Sequence, residues 1–194
     1  MIRKSLIPML FVIVGVFFLG MGVQRMAGSK AETEHSLQQA KKIKVVQVKE
    51  SQNESTKKFK PVTGQTIGLL AIPRIHSELA VVEGTDPNEL RKGVGHYKQS
   101  FFPGQKGQIV LSGHRDTVFR HLGELKVGDG LEVNMPYGKF TYTITTTKIV
   151  DANDTSIITL QHQHEELILT TCYPFHYIGN APKRFIIYAK AKKE

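Results

Sequence analysis

Phe140-Thr-Tyr-Thr-Ile-Thr-Thr-Thr147 is β-branched or aromatic at every position. Such side chains lose rotamer freedom on a helix and pack well on a pleated surface, so Lys139–Lys148 predicts a strand. From Pro61 onward the chain keeps one texture, short apolar or alternating runs broken by Gly, Pro, Asn and Asp every eight to twelve residues or so, the spacing of sandwiches and barrels. Six further runs read as strands: Thr66–Ile72, Leu79–Val82, Gln108–Ser112, Gly130–Met135, Glu166–Thr171 and Phe185–Ala191. Short helices are predicted at Pro87–Lys92, behind a Thr85/Asp86 cap, and at Asp116–Leu122. No helical period runs long enough for a bundle. The expected fold is all-β: a compact, mainly antiparallel barrel with small helices in its loops.

The chain has 194 residues and 40% hydrophobic content, which suits one ordinary domain and excludes a wholly disordered chain. Its net charge of +9 suggests a nucleic-acid partner until it is divided along the chain. Residues 1–60 hold 11 Lys/Arg against 4 Asp/Glu, whereas 61–194 hold 15 against 13. The body is nearly neutral, so no nucleic acid is expected. Behind Arg3 and Lys4 the stretch Leu6–Val23 carries no charge over 18 residues. As a helix it would cover about 27 Å, close to the hydrocarbon thickness of a bilayer. Ala27-Gly28-Ser29 is a poor cleavage site, which favours an uncleaved anchor over a signal peptide. Residues 1–26 thus read as a cytoplasmic tip and transmembrane helix, and 61–194 as a translocated barrel domain. Between them, 27–60 reads as a basic polar stalk, with a loose helix allowed over Ala31–Val48 but too few apolar residues to bury a face. Its lysines would be drawn to anionic lipid or wall polymers by about 1 kcal/mol each near the surface.

Cys172 is the single cysteine. In an exported protein it cannot form an internal disulfide, so it is either a buried small hydrophobe or a nucleophile. It ends the apolar run Leu167-Ile-Leu-Thr-Thr, and Pro174 then stops the ladder, which puts the thiol at a barrel rim. If the next strand returns antiparallel in the simplest register, Cys172 lies opposite Arg184, Thr170 opposite Ile186 and Ile168 opposite Tyr188. Side chains alternate with period two, so thiol and guanidinium would share one face. A guanidinium there favours thiolate and can hold charge developing on a carbonyl oxygen.

The base is less determined. His114 follows a buried-looking strand and a glycine, the same strand-to-loop placement as Cys172, while His121 and His176 qualify on sequence distance alone. His162 and His164, beside Glu165 and Glu166, have the form of a ligand cluster, but H-x-H on a polar loop reads as solvated surface. Residue by residue, the chain is a cysteine acyl-transfer enzyme with one of three histidines, or an inert barrel.

Leu169-Thr-Thr-Cys172-Tyr-Pro-Phe, Ala181-Pro-Lys-Arg184-Phe and Leu111-Ser-Gly-His114 resemble the three signature segments of the sortases, membrane-anchored transpeptidases of Gram-positive bacteria. The resemblance runs from about Ile67 to Ala191 and includes Gly68-Leu-Leu-Ala-Ile-Pro and Leu90-Arg-Lys-Gly-Val-Gly-His-Tyr. Tyr173-Pro-Phe and Tyr177-Ile-Gly-Asn-Ala-Pro are most similar to class D. The resemblance implies a closed barrel of about eight strands. It also implies Cys172 as nucleophile, His114 as acid/base partner and Arg184 as oxyanion stabiliser. The implied donors are secreted proteins with a C-terminal LPxTG-like or LPNTA-like sorting signal, cleaved after Thr through a thioester. The implied acceptor is an amine of the peptidoglycan precursor lipid II, reached from the extracellular face of the membrane. No cofactor is implied. Class A members bind calcium through carboxylates in the loop after the first short helix, and here His96-Tyr-Lys-Gln-Ser-Phe-Phe-Pro-Gly-Gln-Lys has none, so no equivalent metal site is expected. Asp116, Glu124 and Asp129 lie elsewhere, with nothing in the sequence to assign them a site. A cysteine hydrolase without an amine acceptor and a non-enzymatic surface-binding module remain the alternatives.

Overall fold

The computed structural model describes residues 3–43, 59–176 and 179–192, with side chains in the first helix described at 9–22, 24 and from 28 onward. That helix, α1, is Arg3–Lys42. Eight strands follow: β1 Thr66–Ile72, β2 Ser77–Glu83, β3 Val94–His96, β4 Gln108–Ser112, β5 Gly130–Met135, β6 Gly138–Asp151, β7 Glu166–Tyr173 and β8 Lys183–Ala191. A one-turn helix, α2, occupies Pro87–Leu90 between β2 and β3, with Asp86 at its N-cap. The strands close into a barrel in the order β1-β2-β3-β4-β7-β8-β6-β5.

Alternation along each strand separates inside from outside. Leu167 and Leu169 of β7, with Phe185, Ile187 and Ala189 of β8, belong to the central core together with Ile109, Leu111, Tyr142 and Ile144. Ile168, Thr170 and Cys172, and likewise Arg184, Ile186 and Tyr188, therefore lie on the outer face. Each fully buried aliphatic of this core contributes roughly 1.5–3 kcal/mol of transfer free energy. Among the described residues the buried Tyr137 hydroxyl has no hydrogen-bond partner, whereas Tyr142 and Glu165 are paired. Tyr142 donates its hydroxyl to Glu165 Oε1 at 2.6 Å, and Gly104 N–H donates to the same oxygen at 2.8 Å. Burial first, then the Glu165 charge, holds the Tyr142 phenol well above its usual range. Glu165 is thus engaged by the fold, whereas neighbouring His162 and His164 are exposed.

Buried His96 joins three segments. Its Nδ1 lies 2.8 Å from Glu83 Oε2, and its Nε2 lies 3.0 Å from the Phe101 carbonyl and 3.1 Å from Ser100 Oγ. A carbonyl only accepts, so Nε2 carries hydrogen and one proton is shared between Nδ1 and the carboxylate.

Four differences from the sequence reading have physical causes. The added strand, β3, is Val-Gly-His, too short to alternate visibly. The barrel is mainly antiparallel as expected, but it contains two parallel contacts that the sequence did not specify, β2 with β3 and β4 with β7, both between strands whose pairing is set by the barrel's closure. The helix expected at Asp116–Leu122 is a run of turns ending in a 3-10 helix at Leu122–Glu124. The front of the expected stalk is helical and does bury a face. Small residues suffice for this: Ser36 and Ala40 are 4% and 3% exposed where α1 packs on β1 and β2. Around them Thr33 Oγ1 donates to the Arg91 carbonyl at 2.8 Å, Thr66 Oγ1 to Gln39 Oε1 at 3.0 Å, and Lys41 meets Glu78 at 2.8 Å. The rest of the expected stalk, 44–58, lies outside the described residues. In the stretch expected to span a membrane, the large apolar side chains from Met9 to Leu19 are 42–72% exposed. Among the described residues no helix is long and apolar enough to cross a membrane, the described run of side chains being 9–22.

Candidate active site

Three neighbouring strands, β4, β7 and β8, end at the same rim. β4 and β7 run parallel with Ser112 opposite Thr170, so two residues further along each strand stand His114 and Cys172. Two bonds fix these ends: Gly113 N–H donates to the Thr170 carbonyl at 3.1 Å, and Thr171 Oγ1 donates to the Gly113 carbonyl at 2.7 Å. Gly113 has to be glycine, because a Cβ there would lie 2.6 Å from Phe119 Cδ2. On the other side β8 is antiparallel to β7, pairing Cys172 with Arg184, Thr170 with Ile186 and Ile168 with Tyr188, as the simplest register anticipates. Directly paired Cβ atoms in such a ladder are about 5 Å apart.

His114, Cys172 and Arg184 line one cavity of about 300 Å³, together with Arg115, Asp116, Gly179, Asn180 and Ala181. The three candidate side chains are all half-buried, reachable by solvent and backed by the sheet. Arg184 Nη1 donates to the carbonyls of Ala181 and Lys183 at 3.2 and 3.0 Å. Those bonds orient the guanidinium while leaving Nε and Nη2 without hydrogen-bond partners among the described residues. Arg115 Nη2 donates to the Gly179 carbonyl at 2.9 Å, tying the His114 loop to the β7–β8 connection.

His121 and His176 do not line that cavity. They border a second one of about 560 Å³ with Arg120, Glu124, Tyr173 and Phe175, and His121 Nδ1 lies 2.7 Å from Glu124 Oε1. The parity of β7 explains the separation: Cys172 faces outward, while Tyr173 turns inward against Phe175 and Phe185. Arg115, Gly179, Asn180 and Ala181 were not singled out individually by the sequence, since loop residues join a cavity only when the fold brings loops together. The segment similar to class D, Tyr177–Pro182, is described from Gly179 onward.

The molecule is a closed barrel whose solvent-reached cysteine sits in a rim cleft beside an imidazole and a guanidinium. The family model for the Sortase domain matches residues 70–192. Sortase D of Bacillus subtilis (strain 168) is 54% identical over 194 residues, covering 96% of this chain and 98% of that one. Sortase A of Bacillus anthracis is 28% identical over 180 residues, covering 88% and 80%. In fold, a Clostridium perfringens Sortase D5 transpeptidase superposes with a TM-score of 0.70 at 23% identity, over 84% of this chain and 99% of that one. The chain belongs to the sortase family, the cysteine transpeptidases of the Gram-positive cell wall.

Proposed function

We propose that this sortase cleaves an LPxTG-like signal, of the LPNTA type, after its Thr and transfers the acyl group to an amine of a peptidoglycan precursor such as lipid II. The observation carrying this reading is the single cavity shared by Cys172, His114 and Arg184 at the ends of β7, β4 and β8. Cys172 attacks as thiolate, its proton held by His114. The new C–S bond forms at the Thr carbonyl, whose oxygen takes negative charge toward Arg184 Nε and Nη2. His114 then gives its proton to the departing amine, leaving a thioester and a neutral imidazole. Positioned proton transfer of this kind contributes about 10²–10⁴-fold, and a preorganised oxyanion donor a comparable factor. An amine displaces the thiolate in the second half.

The rim of the barrel supplies the approach. Val110, Ile168 and Ile186 lie on the outer face fully buried, the β6–β7 connection being pinned there by Gln108, so along this line only Thr170 and Cys172 at the rim are half-buried and reachable. Gln108 Nε2 donates to the Ile157 carbonyl at 3.2 Å, and Leu160 N–H donates to Gln108 Oε1 at 3.1 Å. A peptide reaches the thiol through the rim cleft that Cys172 shares with His114 and Arg184.

The apolar run Leu6–Val23 supports membrane anchoring, with 1–26 as tip and span, 27–60 as connection and 61–194 as an extracellular catalytic domain. The full chain is expected in the membrane fraction, released by detergent and not by high salt.

The test of the chemistry uses the full chain in detergent with an LPNTA peptide. A hydroxamate product that requires hydroxylamine, and disappears in Cys172→Ala and in His114→Ala while persisting in His121→Ala and His176→Ala, is the expected result. Cleavage indifferent to any amine would make the protein a hydrolase, and no cleavage at all a binding module.

A further inference from the structure

The cleft holds one charged group that the reaction above does not use. Of the four ionisable side chains lining it besides the thiol, His114 and Arg184 have assigned work, and Arg115 fastens the cleft wall to Gly179. The fourth, Asp116, is exposed, and among the described residues its carboxylate has neither a hydrogen-bond donor nor an ion-pair partner. Its backbone is nonetheless held: Arg120 donates to the Asp116 carbonyl from Nε at 3.0 Å and from Nη2 at 2.6 Å. Arg120 is thereby turned onto the main chain, and Asp116, on the lining of the cleft, is left with a carboxylate that no side chain among the described residues neutralises. A carboxylate near a thiolate opposes the negative charge on sulfur, so its placement here serves a cation instead.

We propose that Asp116 is the binding residue for the acceptor, receiving the ammonium group of an incoming primary alkylamine in the Cys172 cleft. The proposal rests on the transpeptidase reading and supplies its missing specificity. An aliphatic amine is mostly protonated at neutral pH and cannot attack in that form. Held as R–NH₃⁺ against Asp116, it stands beside His114, which the first half-reaction leaves neutral. The ammonium gives one proton to His114, and the free amine forms a C–N bond at the thioester carbonyl. The C–S bond then breaks with its electron pair returning to sulfur, and the nitrogen's second proton goes to water. The products are an amide, a thiolate and an imidazolium, the pair that began the cycle. A carboxylate also concentrates amine relative to water, against which the thioester must be protected.

Two nucleophiles separate this role from a structural one: 1,5-diaminopentane, which is cationic, and hydroxylamine, which is uncharged near neutral pH. With the full chain in detergent and a saturating LPNTA peptide, Asp116→Asn is expected to raise KM for the diamine about fivefold relative to KM for hydroxylamine, the fold-change of one solvent-screened charge pair. Asp116→Glu restores most of the ratio, Asp116→Lys enlarges the defect, and 0.5 M salt shrinks the wild-type preference. An unchanged ratio in Asp116→Asn, or both nucleophiles weakened equally, overturns the proposal while leaving transpeptidation intact. A wild-type chain that cleaves the peptide and forms an adduct with neither nucleophile overturns the acceptor step itself, and the proposal with it.

Discussion

Arg184 is more than a positive charge, because Nη1 is spent on two carbonyls while Nε and Nη2 have no hydrogen-bond partner among the described residues and the residue lines the cleft. Lysine has one ammonium, which would satisfy the carbonyls or the oxyanion but not both. Arg184→Lys is therefore expected to keep its melting temperature within about a degree. Its acylation rate should fall by on the order of 100-fold, read as the burst in a rapid-quench experiment; a rate near wild type would remove the guanidinium from the mechanism. Away from the cleft, His96 and Glu83 show the opposite economy, a buried pair with no surface role. Removing only the imidazole leaves a carboxylate stranded in hydrocarbon, so His96→Ala should cost about 3–5 kcal/mol, whereas Glu83→Leu with His96→Phe, which removes both charges, should cost less. Urea midpoints decide it, and equal losses would mean that the pair does not act as a charge pair. His96 was legible in the sequence only as one letter of a family segment. Its pairing depends on Glu83 standing opposite it on β2, a register no local pattern announces.

At the scale of elements, what alternation and β-branching control was readable, and what long-range pairing controls was not. Thr66–Ile72, Gln108–Ser112 and Gly130–Met135 match their expected bounds, and β6, β7 and β8 lengthen into their turns. The Cys172–Arg184 register was also accessible, since β7 and β8 are consecutive and antiparallel. The parallel contact of β4 with β7 was not, because β5 and β6 intervene in sequence and the barrel order alone places β4 beside β7. That contact brings His114 to the thiol, which is why residue spacing left three histidines open. It turns on Gly113, which links both strand ends and leaves no room for a Cβ beside the Phe119 ring. A methyl at this position must displace the ring or the loop carrying His114. Gly113→Ala should lose about 1–3 kcal/mol of stability. Its kcat should fall by more than the about twofold that misfolding of a minor fraction could explain, measured against active-site titration of Cys172. A stability loss with undiminished kcat per titrated thiol would show that His114 tolerates the shift.

At the scale of the whole molecule, the docking of α1 on β1 and β2 turns a tether into a strut. Counted from Val23, the end of the proposed span, Ser36 and Ala40 lie 13 and 17 residues further along one helix, a rise of about 20–25 Å. A barrel held at that point cannot swing freely about the helix, so if Leu6–Val23 spans a membrane as proposed, the rim cleft is kept at a set height above it. The contact is small residues with a rim of exposed polar pairs, hence weak in isolation and easily opened. Aspartate at Ala40 would place an unpaired charge against β1 and β2, and the helix would release before paying the full desolvation cost, so the loss is capped at the docking energy, about 1–3 kcal/mol. Ala40→Asp should therefore loosen the helix around the already exposed Lys41 and Lys42 and speed tryptic cleavage there in the detergent-solubilised chain, while cleavage of a free LPNTA peptide stays within about twofold of wild type, since the barrel core is untouched. On cells, the same variant should attach less sorting-signal protein to the wall, because the rim no longer sits at a fixed distance from the bilayer. Wild-type attachment with rapid trypsin nicking would show that the strut is dispensable, and unchanged trypsin resistance would show that the helix remains docked on other contacts.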